Sequence, residues 1–135
     1  LLETLQSVFH LTYLFISPDL SVVEHISNRV GVMYVGKLVE LAPSEDLYLK
    51  PKHPYTEALM SALPKVSADE PEEKIILKGE VASPANPPTG CYFHPRCPYA
   101  QEKCRTDEPP LRDLGDGRYA ACHFAEELDL TGVER

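Results

Sequence analysis

Residues 90–123 read GCYFHPRCPYAQEKCRTDEPPLRDLGDGRYAACH and hold every cysteine of the chain: Cys91, Cys97, Cys104 and Cys122. The gaps between them are five, six and seventeen residues. Cysteines concentrated in one stretch point to one shared site. Prolines and glycines interrupt the segment, so it cannot assemble a large apolar core, and a covalent or metallic closure is expected to hold it. Three closures compete. Two disulfides suit a secreted mini-domain, but no secretory leader is visible. Zinc prefers tight C-x2–4-C knuckles, which are missing here, although His94 and His123 offer substitute ligands. A 4Fe-4S cluster accepts thiolates from wider spacings, and Cys97-Pro98 echoes the Cys-Pro step of ferredoxin-type sites. Four thiolates leave either centre with about two negative charges, which favours nearby cations. Arg96, Lys103, Arg105 and Arg118 flank the cysteines as candidates for that role.

Upstream of this segment, residues 75–80 form a short strand candidate, and proline-rich 81–90 is an extended loop that delivers the chain to Cys91. Pro98 is expected to start a helix over 99–104 that presents Cys97 and Cys104 about two turns apart. Residues 111–124 read as a hairpin around Gly115-Asp116-Gly117 that returns Cys122 to the other three. Residues 65–74, KVSADEPEEK, are charged and aperiodic, and mark a boundary between units at 1–64 and 65–135.

The first unit alternates strand and helix. Leu1, Leu2, Leu5, Val8 and Phe9 fall on one helical face. Residues 11–16 are an unbroken apolar run, expected as a strand in a sheet covered on both faces. Ser17-Pro18-Asp19 reads as a helix start, with a hydroxyl cap, proline at the first helical position and an acid in the first turn. Leu20, Val23 and Ile26 are that helix's apolar stripe. Residues 30–35 form the next strand, Gly36-Lys37 a Gly-X turn, and 38–41 the returning strand. Pro43-Ser44 opens a short helix that ends at Pro51, and His53-Pro54 opens another that stops at Pro64. This rhythm implies an α/β fold with few strands, hence an incomplete sheet. His10, His25 and His53 lie at helix ends and faces, without partners at metal-ligand spacing.

Composition narrows the partners. A formal charge of −8 argues against nucleic acid. The acids cluster at 69–73 and after Glu126, where solvation is the plain reading. No apolar run reaches the length of a membrane span. The chain opens without Met and inside a helical pattern, which suggests a fragment.

Residues 14–48, LFISPDLSVVEHISNRVGVMYVGKLVELAPSEDLY, followed by HPYTEALMSALP at 53–64, resemble the C-terminal end of ATP-binding subunits of oligopeptide, dipeptide and nickel ABC importers. The later GCYFHPRCPYA…C…P…ACH block resembles the same subgroup, and together the blocks reach about Phe124. The resemblance implies the C-terminal part of an ABC nucleotide-binding domain, then a small loop-rich cysteine extension with an acidic tail. It also implies membrane-spanning permease subunits and a second ATP-binding subunit as partners, and a cytoplasmic place on the inner face of the membrane. Intact family members use MgATP. The seven glycines here fit no P-loop, and no Walker B run or LSGGQ signature is present, so this chain alone is not expected to hydrolyse ATP. The family's switch histidine falls between Ser17 and Asp19, where this chain has Pro18, which has no side-chain donor. Some members carry a 4Fe-4S cluster on cysteines at matching places, so the resemblance implies Cys91, Cys97, Cys104 and Cys122 as its ligands, with zinc as the alternative and a structural role. Loss of the cluster in air is expected to pair Cys91 with Cys97 or Cys104. Two other readings stand beside this one. One is a free-standing metal-binding scaffold or interaction module. The other is a chain that self-associates through an exposed sheet edge.

Overall fold

The structure, a computed structural model, describes residues 1–64 and 74–133. Helix α1 (Leu2–Phe9) closes at His10, whose φ of 52° is left-handed. Helix α2 (Leu20–Ile26) follows, then strands β1 (Arg29–Tyr34) and β2 (Lys37–Pro43), and helices α3 (Ser44–Leu49) and α4 (Pro54–Ser61). A 3-10 turn (His94–Arg96), helix α5 (Glu102–Thr106) and strands β3 (Arg112–Gly115) and β4 (Arg118–Ala120) complete the order.

All four strands form one antiparallel sheet in the order β1-β2-β4-β3. The fold is mixed α/β, as expected. The sheet, however, gains half its strands from the cysteine-bearing part, because Glu40 and Leu41 of β2 pair with Ala120 and Tyr119 of β4. Along β1, burial alternates strictly, with Val30, Val32 and Tyr34 inward. One face of the sheet packs and the other meets solvent, the usual condition of an antiparallel sheet.

Several local expectations are corrected. Residues 11–16 form no strand, and Leu14 and Ile16 are 92% and 97% exposed. An apolar run becomes a strand only where a neighbouring strand takes up its amides and carbonyls, and among the described residues none does. The cap of α2 is Asp19, not Ser17: its carboxylate accepts from Ser21 N at 3.0 Å and Val22 N at 3.2 Å. Ser17 Oγ instead accepts from Asp19 N, which moves the helix start past Pro18. In the β1–β2 hairpin Tyr34 faces Lys37, so the turn is Val35-Gly36, with φ of 48° and 75°. Two positive φ values define a type I′ turn rather than the Gly-X type, with a β-branched residue in an unusual conformation. Residues 75–80 form no strand. The helix expected over 99–104 begins only at Glu102, because the chain turns at 97–100 and resets at an extended Gln101. Cys97 and Cys104 therefore do not share a helix. The second hairpin forms, but its turn is Asp116-Gly117, because Gly115 pairs with Arg118, and its return strand ends at Ala120, while the charged boundary at 65–74 lies almost wholly outside the described residues.

The core joins both parts of the chain. Phe93 inserts beside Tyr34 (ring centroids 5.2 Å apart), Tyr55 (5.4 Å) and His53 (5.8 Å). Edge-on and tilted rings at such distances add stabilisation beyond the area they bury.

Candidate functional site

Four separate pieces of backbone bring the cysteines together. Cys91 enters through Gly90, whose φ is 67° and whose missing Cβ leaves room for the backbone of Cys104 and Arg105. Cys91 N–H then donates to Cys104 C=O at 2.8 Å, joining the entry loop to α5. Cys97 follows the 3-10 turn, its N–H on His94 C=O. Cys122 lies just past β4, placed when Ala121 N–H donates to Val39 C=O at 2.8 Å. All four are free thiols, with Cys104 and Cys122 buried and the other two half-buried.

The four thiols line one small apolar cavity of about 20 Å³, together with His53, His94, His123 and the ring of Phe93. Burial pushes the Cys97 thiol up to about 12 and the Cys122 thiol up to about 11, and raises Cys91 as well. Like charge on the neighbouring sulfurs adds to each rise. Backbone amides act in the opposite sense. The N–H two residues on is directed at the sulfur in three cases: Phe93 for Cys91, Tyr99 for Cys97 and Phe124 for Cys122. Amides aimed at sulfur favour the thiolate over the thiol. Among the described residues no group of three or more His, Cys, Asp or Glu side chains stands ready-spaced to hold a metal ion. The donor set fits a thiolate-bound centre in kind and number. In size the cavity matches a single water or ion, and a four-iron cluster asks for more room.

The cation that acts on a sulfur is one the sequence reading passed over. Arg112 lowers the Cys122 thiol against the other effects and donates from Nη2 to Cys122 C=O at 3.2 Å. Of the expected cations, Arg118 turns to Lys50 C=O and Arg105 sits 3.8 Å from Glu102. A long side chain points where its backbone register aims it, and proximity in sequence does not reveal that register.

Helix α4 is the platform beneath the cavity. Glu40 on β2 is buried and accepts from Lys52 N at 2.7 Å and His53 N at 2.9 Å, fixing the entry to the helix. His53 caps it, Nδ1 accepting from Tyr55 N at 3.1 Å. Its ring is 1% exposed, and burial lowers its pKa to about 4, so it stays neutral. Buried Glu57 accepts from Tyr99 Oη and from Thr131 N, both at 2.8 Å. One carboxylate thus fastens the cysteine loop and the C-terminal stretch to the same helix. His94 Nδ1 bonds Cys91 C=O and His123 Nε2 bonds Asp107 C=O, each at 2.9 Å. His10 and His25 lie on the exposed N-terminal helices, and Pro18 is exposed ahead of α2. His53, Glu57 and Tyr99 were visible in the sequence only as a helix start and a Cys-Pro-Tyr step, because their partners are 13 to 74 residues away.

Residues 39–104 match the family described as oligopeptide/dipeptide transporter, C-terminal region. The chain is 53% identical over 126 residues to the oligopeptide transport ATP-binding protein AppF of Bacillus subtilis, covering 92% of this chain and 38% of the relative. It is 53% identical over 123 residues to a probable peptide ABC transporter ATP-binding protein, y4tS, of Sinorhizobium fredii, covering 91% and 35%. To the putative oligopeptide transport ATP-binding protein YkfD of Bacillus subtilis it is 49% identical over 126 residues, covering 92% and 38%. The chain thus spans little more than a third of the length of these curated relatives. Residues 39–104, which run from β2 through α3, α4 and the first three cysteines, are thus similar to the C-terminal region of oligopeptide/dipeptide transporters.

Proposed function

We propose that this chain is the C-terminal portion of the ATP-binding subunit of a peptide-importing ABC transporter, and that its four cysteines hold a structural thiolate–metal centre. The relatives' names carry the first half of this reading. Residues 1–64 are then the end of the nucleotide-binding fold and 65–135 its extension. The intact subunit would bind MgATP, pair with a second ATP-binding subunit and sit against permease subunits on the inner face of the membrane. No helix among the described residues is long and apolar enough to cross a membrane. Without P-loop, Walker B or signature motif, these residues supply support rather than hydrolysis.

One observation carries the second half: four thiols share one cavity, and amides face three of the sulfurs. Such amides do little for neutral thiols and much for thiolates. Cys91, Cys97, Cys104 and Cys122 are the proposed ligands, with 4Fe-4S the occupant that the family resemblance implies and zinc the one that the cavity's size admits. When bound, the centre would cross-link the four backbone segments that carry the cysteines. The chain's own part is to deliver the four sulfurs, exclude water with Phe93 and Phe124, and neutralise charge with backbone amides and Arg112. A free-standing metal-binding module is the competing reading, and self-association through the open edge of β1 is compatible with either.

Anaerobic purification with a visible spectrum and metal analysis tests the centre. Equal iron and sulfide with broad visible absorption, or zinc in place of iron, is the expected result. A colourless protein free of both metals overturns it. In parallel, calorimetric titration with MgATP should give no specific heat, and measurable turnover would overturn the supporting role.

A further inference from the structure

A second cavity, of about 230 Å³, shares Cys91, Phe93 and Pro109 with the cysteine cavity as a common wall. Its buried floor is apolar, formed by Val39, Phe93, Pro109 and Ala121. It opens where the sheet is unfinished. Strand β4 reaches β2 no further than Val39, whose C=O accepts from Ala121 N, so Lys37 and Leu38 border the cavity past the end of that ladder. An apolar lining with a few fixed polar groups is the usual make-up of a small-molecule site, and drug-sized ligands take about 300–1,000 Å³. This cavity suits a smaller guest.

The polar groups are one ion pair at the rim. Lys37 Nζ lies 2.5 Å from Glu108 Oε1, and both side chains are about half exposed. Lys37 Nζ also stands 5.1 Å from the centre of the Tyr92 ring, whose face attracts the ammonium. A half-exposed ion pair contributes little to stability, so opening it to a guest costs little. A guest with a single charge would strand one member of the pair. A zwitterion gives each a partner. The two rim charges are adjacent, so the guest's charges must be adjacent too. An α-amino acid carries both on one carbon, whereas each added residue of a peptide separates its termini by up to about 3.5 Å more.

We infer that this cavity binds a free α-amino acid with a large apolar side chain, its carboxylate on Lys37, its ammonium on Glu108 and its side chain against Val39, Phe93 and Ala121. Tyr92 holds Lys37 in place for the exchange. The four charges then alternate in sign, and none is left unpaired. Two charge-assisted bonds fix the head group, and the floor selects the side chain. The site is independent of any occupant of the cysteine cavity.

The test titrates the full 135-residue chain, reduced, with L-leucine and follows it by methyl NMR. Signals of Leu38, Val39, Leu111 and Ala121 should shift and saturate at millimolar leucine or below, while those of Leu47 and Met60, which do not line the cavity, stay still. N-acetyl-leucine lacks the ammonium, leucinamide the carboxylate and glycine the side chain. Each should bind at least about 10-fold more weakly than leucine. Lys37→Met and Glu108→Gln change half-exposed positions, and each should weaken leucine by a similar factor. No saturating shift in wild type, or shifts confined to residues outside the cavity, overturns the inference. So does equal affinity for leucine and its two singly charged analogues, or leucine affinity unchanged in both folded variants.

Discussion

Residues 1–28 and the body built on the four-stranded sheet both carry apolar patterning, yet they end differently. In α1 and α2 no residue is buried. Phe9 is 63% exposed, whereas Phe93 is 1% exposed. Both phenylalanines sit in short, irregularly flanked elements. Phe93 meets Tyr34 from β1 and His53 and Tyr55 from the α4 entry, so two separate elements converge on it. Phe9 meets no such convergence among the described residues. Periodicity states which side chains prefer burial; it does not supply the surface that buries them. Leu20 and Val23 of α2 pack only partly buried against the core, and Tyr48 Oη donates to Leu20 C=O at 2.5 Å.

The contrast breaks most sharply through paired truncations. Phe93→Ala should cost about 4 kcal/mol of stability in urea unfolding, as large buried aromatics do. Phe9→Ala should stay within about 0.5 kcal/mol, as exposed positions do. Equal costs would mean that the N-terminal face is covered in solution, by a second copy for example, and light scattering would then show an oligomer. A middle-sized effect sharpens the account of how the cysteine loop is held. Glu57→Ala strands both Tyr99 Oη and Thr131 N, and should cost about 2 kcal/mol. A cycle with Tyr99→Phe should show a coupling of about 1 kcal/mol. Additive losses would separate the loop from α4.

The subtlest effect is in pH. Burial raises the Glu40 carboxyl above its ordinary value, against the pull of the Lys52 and His53 amides and of Arg118. The folded state therefore keeps this proton to higher pH than the unfolded chain does. The group's contribution is fully present below its unfolded pKa and is lost as pH rises through the folded one. Wild-type stability measured against Glu40→Gln should accordingly fall from mildly acid pH towards neutrality. A gap that stays flat, or moves the other way, removes the desolvated carboxyl from the account.

Much of the architecture was legible in order and type. Both hairpins, the short helices after Pro43 and His53, and the shared destiny of the four cysteines followed from turn residues, prolines and spacing. The misreadings have physical causes. Residues 11–16 satisfied every local rule for a strand and lacked a partner. The helix placed after Pro98 began later because the chain turns before α5. His53 was grouped with His10 and His25, since all three mark helix ends; a contact 40 residues away in Phe93 gives it a different standing. Arg112 was passed over in favour of cations adjacent to the cysteines, although the β3 register is what turns it to Cys122.

By itself, then, the sequence determined the parts list: which stretches turn, which are capped, and that four sulfurs belong together. Those features depend on φ preferences and side chains acting within a few residues of themselves. Only the tertiary structure decided that β4 completes the sheet begun by β2, that Glu57 ties the loop to its helix, and that Glu40 fixes the entry to α4. Each of those rests on a directional hydrogen bond between distant segments, and no local pattern encodes the direction.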